Sequence, residues 1–269
     1  PAHSWERSNP ILQRLRSVKD KIEIDILQQA CDITEKGFRR ILNFVEPGVW
    51  EYEIEAEFMH EFLRNRSRGF AYTPIIASGN NANVLHYIEN NQQCKKGDLL
   101  LLDVGAEYAN YSSDMTRTIP VSGKFSKRQR EVYDAVKKVK DDATKMLVPG
   151  NYWKEYHEEV GKLMTKALLD LKLLDKADVK NEDPNWPAYK KYFMHGTSHH
   201  IGLDTHDYGI LWEKMTEDMV FTVEPGIYIP EEGFGIRLED DVVIQKKGEP
   251  FNLMRNIPIE AEEIEDLMN

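Results

Sequence analysis

Five ionisable side chains stand inside segments that are otherwise apolar or rich in β-formers: Asp103 in LLLLDVGA, Asp114 in SSDMTRTI, His199 in HGTSHHIG, Glu224 in FTVEPG and Glu239 in GIRLED. An ionised group in such surroundings is costly unless something compensates its charge. Asp103 follows four leucines, so its carboxylate projects from a buried strand. Asp114 comes eleven residues later, on the expected antiparallel partner, and a hairpin brings the two carboxylates to one side of a sheet. Two bare carboxylates at that range repel, and a cation resolves the conflict. Glu224 and Glu239 repeat the arrangement further along. Four carboxylates with one imidazole form an oxygen-rich ligand set that suits hard or borderline ions such as manganese, and four formal negative charges match two divalent ions. Two metals held close together supply a nucleophile at neutral pH and a Lewis acid for a carbonyl. Taken singly, each residue also has a plain reading. Asp103 beside Gly105 and Glu224 before Pro225 could serve turns, and Glu239 before Asp240 and Asp241 could end a solvated acidic strand.

The stretch MHGTSHHIGLDTHD, residues 194–207, places His195, His199, His200 and His206 within twelve positions, half of the eight histidines of the chain. Such a cluster, interspersed with small residues, reads as a site. Gly196 and Gly202 permit close backbone approach.

The elements that must position these residues are visible as periodicities. From Ser17 to Phe44 apolar residues, including Val18, Ile22, Ile26, Ala30, Ile33, Phe38 and Ile41, recur at three- to five-residue intervals and predict an amphipathic helix that stops at Pro47-Gly48. A second helix is predicted from Glu51 to about Arg66, and another from Ser126 to Leu147, stopped by Pro149-Gly150. Residues 98–119 read as a hairpin, and residues 219–244 as three β-rich pieces separated by Pro-Gly and Gly-Phe-Gly turns. The order helix, hairpin, helix, hairpin hints at two similar halves. The polar stretch from Leu169 to Tyr189 reads as a surface excursion.

A chain of 269 residues fits one large domain, and its 41% hydrophobic and 30% charged residues contain no apolar run approaching the roughly 20 needed to span a bilayer. A net charge of −11 argues against a nucleic-acid partner, which needs a concentrated Lys/Arg excess. Cys31 and Cys94 are far apart with no metal-type spacing, so a disulfide framework is not expected and a reducing, cytoplasmic setting is. The opening PAHSWERSNP has neither an initiator Met nor a signal core. The expectation is an excised fragment, with residues 1–16 a linker remnant from a missing N-terminal domain and residues 17–269 the catalytic domain.

The ordered set Asp103, Asp114, His199, Glu224 and Glu239, in these contexts, resembles the pita-bread metallopeptidase family, which includes aminopeptidase P, prolidase, methionine aminopeptidase and the non-peptidase creatinase. The similarity runs from about Ser17 to Ile257. It implies an α+β fold with a curved, mostly antiparallel sheet, helices on the convex face and pseudo-two-fold halves. It further implies that Asp103 holds one metal, that Asp114 and Glu239 bridge both, and that His199 and Glu224 complete the second. By the same resemblance Glu224 is also a general base, His206 stabilises the tetrahedral intermediate, and His86 in VLHYIEN assists the leaving nitrogen and touches substrate. His195, Tyr228 and Arg237 then shape the proline pocket.

The segments FMHGTSHHIGLDTHD, VLHYIEN and DMTRTIPVSGKFSKRQREVYDAV most resemble the aminopeptidase P branch. The implied activity is removal of the residue before a proline in second position, by an enzyme carrying two divalent ions, manganese first and zinc or cobalt otherwise. Homodimers or homotetramers fit the resemblance. Prolidase shares every ligand and stays open, as does, more remotely, a noncatalytic binding module on the same fold. Creatinase-like hydrolases lose ligands that this chain keeps. One departure is His200, where many relatives carry Trp after the ligand histidine.

Overall fold

The computed structural model describes residues 7–269. Residues 1–6 of the expected linker lie outside it, and the rest of that stretch carries helix α1, Asn9–Ser17. Helix α2, Lys21–Leu42, begins later than its apolar pattern suggests. The reason is local. Val18 is extended and bridges to Met219, Lys19 lies outside both helices, and Asp20 then caps α2 by accepting the N–H of Glu23 while Glu23 accepts that of Asp20. Ile22, counted in the apolar stripe, is exposed, whereas Leu27, Ala30, Cys31, Phe38 and Ile41 are buried. Helix α3, Glu51–Arg64, packs across α2 so closely that a Cβ on Gly37 would stand 2.8 Å from the rings of Phe58 and Phe62.

Strands β1, Ile75–Ser78, β2, Leu99–Val104, β3, Glu107–Tyr108, β4, Tyr111–Ser112, and β5, Met115–Pro120, complete the first half. They form an antiparallel sheet in the order β1-β2-β5, with β3 and β4 as a small hairpin between. Leu99 to Leu102 are fully or almost fully buried, each contributing about 1.5–3 kcal/mol. Asp103 faces Thr116 in the register, and Asp114 directly precedes β5.

The second half opens with α4, Lys127–Thr144, capped by Ser126 and Gln129 as the sequence suggests. Helix α5, Trp153–Asp170, has no counterpart in the sequence reading, although Tyr156, Val160, Met164 and Leu168 are buried at four-residue spacing. The polar excursion holds the short helix α6, Lys176–Lys180, with no buried residue. Residues 219–244 form four strands rather than three: β6, Val220–Val223, β7, Gly226–Ile229, β8, Phe234–Arg237, and β9, Asp240–Val243. β6 pairs with β9 and β7 with β8, so one long hairpin is interrupted on both sides. Glu224 and Glu239 occupy the two interruptions. Strand β10, Phe251–Asn252, borders β9, and α7, Ala261–Met268, closes the chain.

Each half has its Pro-Gly stop. Gly48 (φ 106°) and Gly150 (φ 100°) adopt conformations that favour glycine, and each is followed by an antiparallel bridge, Trp50 to Gln93 and Tyr152 to Lys214, and then by a helix. The halves join where the Glu239 N–H donates to Thr116 C=O at 3.0 Å and the buried Arg117 donates to the carbonyls of Glu239 and Pro258 and to Asp240. No described helix is long and apolar enough to cross a membrane.

Candidate metal centre

The four acidic groups converge because each half supplies one at the end of an outgoing strand and one just before the return strand. Asp103 and Glu224 are the first kind, Asp114 and Glu239 the second. His199 enters from the loop ahead of β6, its backbone fixed by bonds with Thr222. Asp114, His199 and Glu239 offer ligand atoms that all lie within 4.8 Å of one another. Asp103 stands beside this trio: the Tyr72 hydroxyl is 2.6 Å from its Oδ1 and 2.5 Å from Asp114 Oδ1, a single donor between two carboxylates. Glu224 Oε1 is 3.5 Å and Asp114 Oδ2 3.4 Å from His199 Nε2. Thr116 Oγ1 donates to Glu239 at 2.6 Å, and the Asp114 N–H to Asp241 at 3.0 Å.

All five groups line one cavity of about 710 Å³, together with His86, His195, His206 and Arg237. His86 and His206 are exposed on its wall, and the His206 ring meets that of His199 edge-on at 4.4 Å. Tyr228 does not line the cavity. It is fully buried, accepting from Arg237 Nη1 at 2.8 Å and donating to His195 Nε2 at 2.7 Å. The other His195 nitrogen, Nδ1, lies 2.7 Å from the carbonyl of Gly196, which assigns it the proton. Arg237 also donates to Asp103 and Thr116. Tyr228 therefore meets the cavity through His195, whereas Arg237 lines it and pairs with Asp103.

The sequence pattern of metallopeptidase family M24 matches residues 25–246. The chain belongs to this family. Among its relatives is the Xaa-Pro aminopeptidase of Haemophilus influenzae, 42% identical over 97% of this chain and 63% of that protein. Among solved structures are two of Escherichia coli aminopeptidase P, one with the inhibitor Pro-Leu and one zinc-substituted in complex with product. Each has a TM-score of 0.90 and 38% identity, covering 97% of this chain and 62% or 61% of the other. This chain thus spans about six-tenths of the length of these relatives. The fold is the pita-bread fold that the resemblance implies.

The electrostatics of this M24 site bear on what could occupy it. Burial raises Glu224 to about 7, with the Asp114 charge adding to the rise and His199 opposing it. Burial also raises Glu239 well above the carboxylate range, helped by Asp114 and Glu224, and raises Asp103 against the pull of Arg237. Burial alone would lower His199, but the bond with Asp114 and the charges of Glu224 and Asp114 carry it up to about 9. Burial and the Arg237 charge push His195 down to about 3. Among the described residues Arg237 is the one arginine in contact with these carboxylates, too little positive charge for four of them. The donor set fits divalent cations with a preference for oxygen.

Tyr72, Thr116 and Asp241, which hold the acidic groups, escaped the sequence reading. Thr116 and Asp241 stand beside residues that were singled out, but only long-range pairing shows what they and Tyr72 hold. His200 faces away from the cavity. It is buried against Trp153 and Phe221, neither ring nitrogen has a partner among the described residues, and burial lowers it to about 3.

Proposed function

We propose that this chain is the catalytic domain of a dinuclear metal-dependent aminopeptidase that hydrolyses the bond between an N-terminal residue and a following proline. The observation that carries this reading is the convergence of four carboxylates and His199 on a single cavity whose wall presents His86, His195 and His206. On this reading Asp114 and Glu239 would hold both metals, Asp103 would serve one of them, and His199 and Glu224 would serve the other. The metals, manganese with zinc or cobalt as substitutes, supply Lewis acidity and lower the pKa of water toward neutrality.

The protein groups have separate tasks. Glu224, which lines the cavity beside His199, takes a proton from the attacking water and returns it to the departing proline nitrogen. His206 donates a hydrogen bond to the oxygen that gains charge during attack, a contact that strengthens as the charge grows. His86, on the opposite loop, faces the leaving side. His195 stays neutral, its Nε2 taken by Tyr228, and forms a wall rather than a proton carrier. Arg237 offsets the charge of Asp103.

The deciding assay measures release of the first residue from Arg-Pro-Pro and from Arg-Pro, with and without manganese. Manganese-dependent release from the tripeptide supports the reading. Cleavage of the dipeptide alone would make the chain a prolidase, and no release from either would leave a binding module.

A further inference from the structure

We propose that Arg16 and Lys19 are positioning residues for His206: an ion-pair clamp from the α1–α2 connection holds the loop that presents this histidine to the cavity. The inference rests on the peptidase reading above, and it moves a segment expected as linker into the catalytic unit.

The clamp grips the loop on both sides of His206. Arg16 Nη2 lies 2.8 Å from Asp204 Oδ2 and 2.6 Å from Asp207 Oδ1, and Lys19 Nζ lies 3.2 Å from Asp207 Oδ2. The side chains of Lys19 and Asp207 are each only 1% exposed. Buried charges at this depth hold one geometry, because any displacement leaves one of them unpaired. Lys19 is itself fixed, its ammonium donating to Arg16 C=O at 2.6 Å and its N–H to Asp218 C=O at 2.9 Å. Gly202 makes room for the contact, since a Cβ there would stand 2.3 Å from Asp207 Oδ2 and 2.9 Å from Lys19 Cε. Arg16 also lies beneath the ring of Tyr208, 5.2 Å from its centroid.

From the clamp two links run to the site. Asp204, Thr205 and His206 all line the cavity, so the pinned stretch is the wall itself. The Asp207 N–H donates to His200 C=O at 2.9 Å, and the same carbonyl accepts His199 Nδ1 at 2.9 Å. One acceptor thus orients both the loop and the imidazole that His206 meets edge-on. The partners lie 188 residues apart in the chain, and no motif joins them.

The test uses the full chain with manganese and Arg-Pro-Pro. Lys19→Met keeps the side-chain length and removes the ammonium. A displaced catalytic group lowers kcat by about tenfold or more, while KM and bound metal per chain change by less than about twofold. In a His206→Ala background the same substitution changes kcat by less than about twofold, because the group it positions is gone. Equal losses in both backgrounds, or an unchanged kcat in Lys19→Met, overturn the proposal. Should Lys19→Met fail to fold, Arg16→Met, at a side chain 19% exposed, carries the same cycle. If the unmodified chain releases nothing from the peptide, the peptidase reading fails separately and amide exchange decides the clamp. Faster exchange over residues 201–209 in the variant, with α4 and α5 unchanged, supports it, and identical exchange overturns it.

Discussion

The loop bearing His86 and the loop bearing His206 leave their halves at matching places, each between a Pro-Gly helix stop and the strands that carry the acidic groups. What holds them differs. In the first half the residue that starts α3, Glu51, is a fully buried carboxylate that accepts the Ser78 N–H and hydroxyl, Asn81 Nδ2, the Tyr87 hydroxyl and the Gln92 N–H, all at 2.7–3.1 Å. In the second half the residue that starts α5 is Trp153, which packs on His157, His200 and Phe221 instead. The first loop is therefore tied down by its own half, and the second borrows Arg16 and Lys19 from the start of the chain. The acidic groups show the same asymmetry. Asp103 has Arg237 against it, whereas Glu224 faces two histidines and is raised by burial to about 7. Equivalent backbone positions therefore carry unequal chemistry.

Breaking what the halves share gives the largest effect. Asp114→Ala and Glu239→Ala each remove one member of the central trio, and both should lose metal, measured by elemental analysis, together with all detectable activity. A Glu239→Ala protein with normal turnover would remove the basis for shared ligation. Next comes the anchor of the first loop. Glu51→Ala leaves buried donors without an acceptor, each worth roughly 1–3 kcal/mol, and should cost about 3 kcal/mol in urea unfolding. A cost near zero would mean that the His86 loop does not depend on this carboxylate.

The two histidines themselves sharpen the comparison. His206→Ala should lower kcat by about 10²-fold with metal content intact, the loss of one preorganised donor, and His86→Ala should lower it comparably. A loss of metal in either variant would place that histidine among the ligands instead. The smallest effect concerns the aromatic anchor of the second half. Buried His200 is depressed to about 3, mainly by burial and further by Lys19 and His199. A folded value below the unfolded one near 6.5 means that its contribution is present above pH 6.5 and is lost as pH falls from there toward 3. Urea unfolding at pH 7 and pH 5 should show wild type losing about 2 kcal/mol that His200→Phe retains. Parallel pH profiles would show that the ring is solvated.

The legible parts of this molecule are those in which neighbours in sequence are neighbours in space. The helix after Ser126 starts where its pattern does, the leucine run before Asp103 is a strand whatever surrounds it, and the Pro-Gly stops end α2 and α4 where the pattern breaks. The misreadings have physical causes. The interruption that splits residues 219–244 into four strands comes from pairing between β6 and β9, which overrides the continuous β-rich pattern. Helix α5 has its buried stripe at four-residue spacing but carries seven charged residues among eighteen, which masks the period. Tyr228 and Arg237, which the resemblance places at the proline pocket, bond to His195, Asp103 and Thr116, contacts that no local pattern shows.

Sequence alone determined the kinds of ligand, their order and the local elements that carry them, because residue type and short-range periodicity encode those directly. Only tertiary structure decided which carboxylate meets an arginine, which stands near neutrality, and which histidine loop depends on the start of the chain. Those outcomes follow from burial and from charges brought together across more than a hundred residues, and neither distance nor desolvation is written in a local pattern.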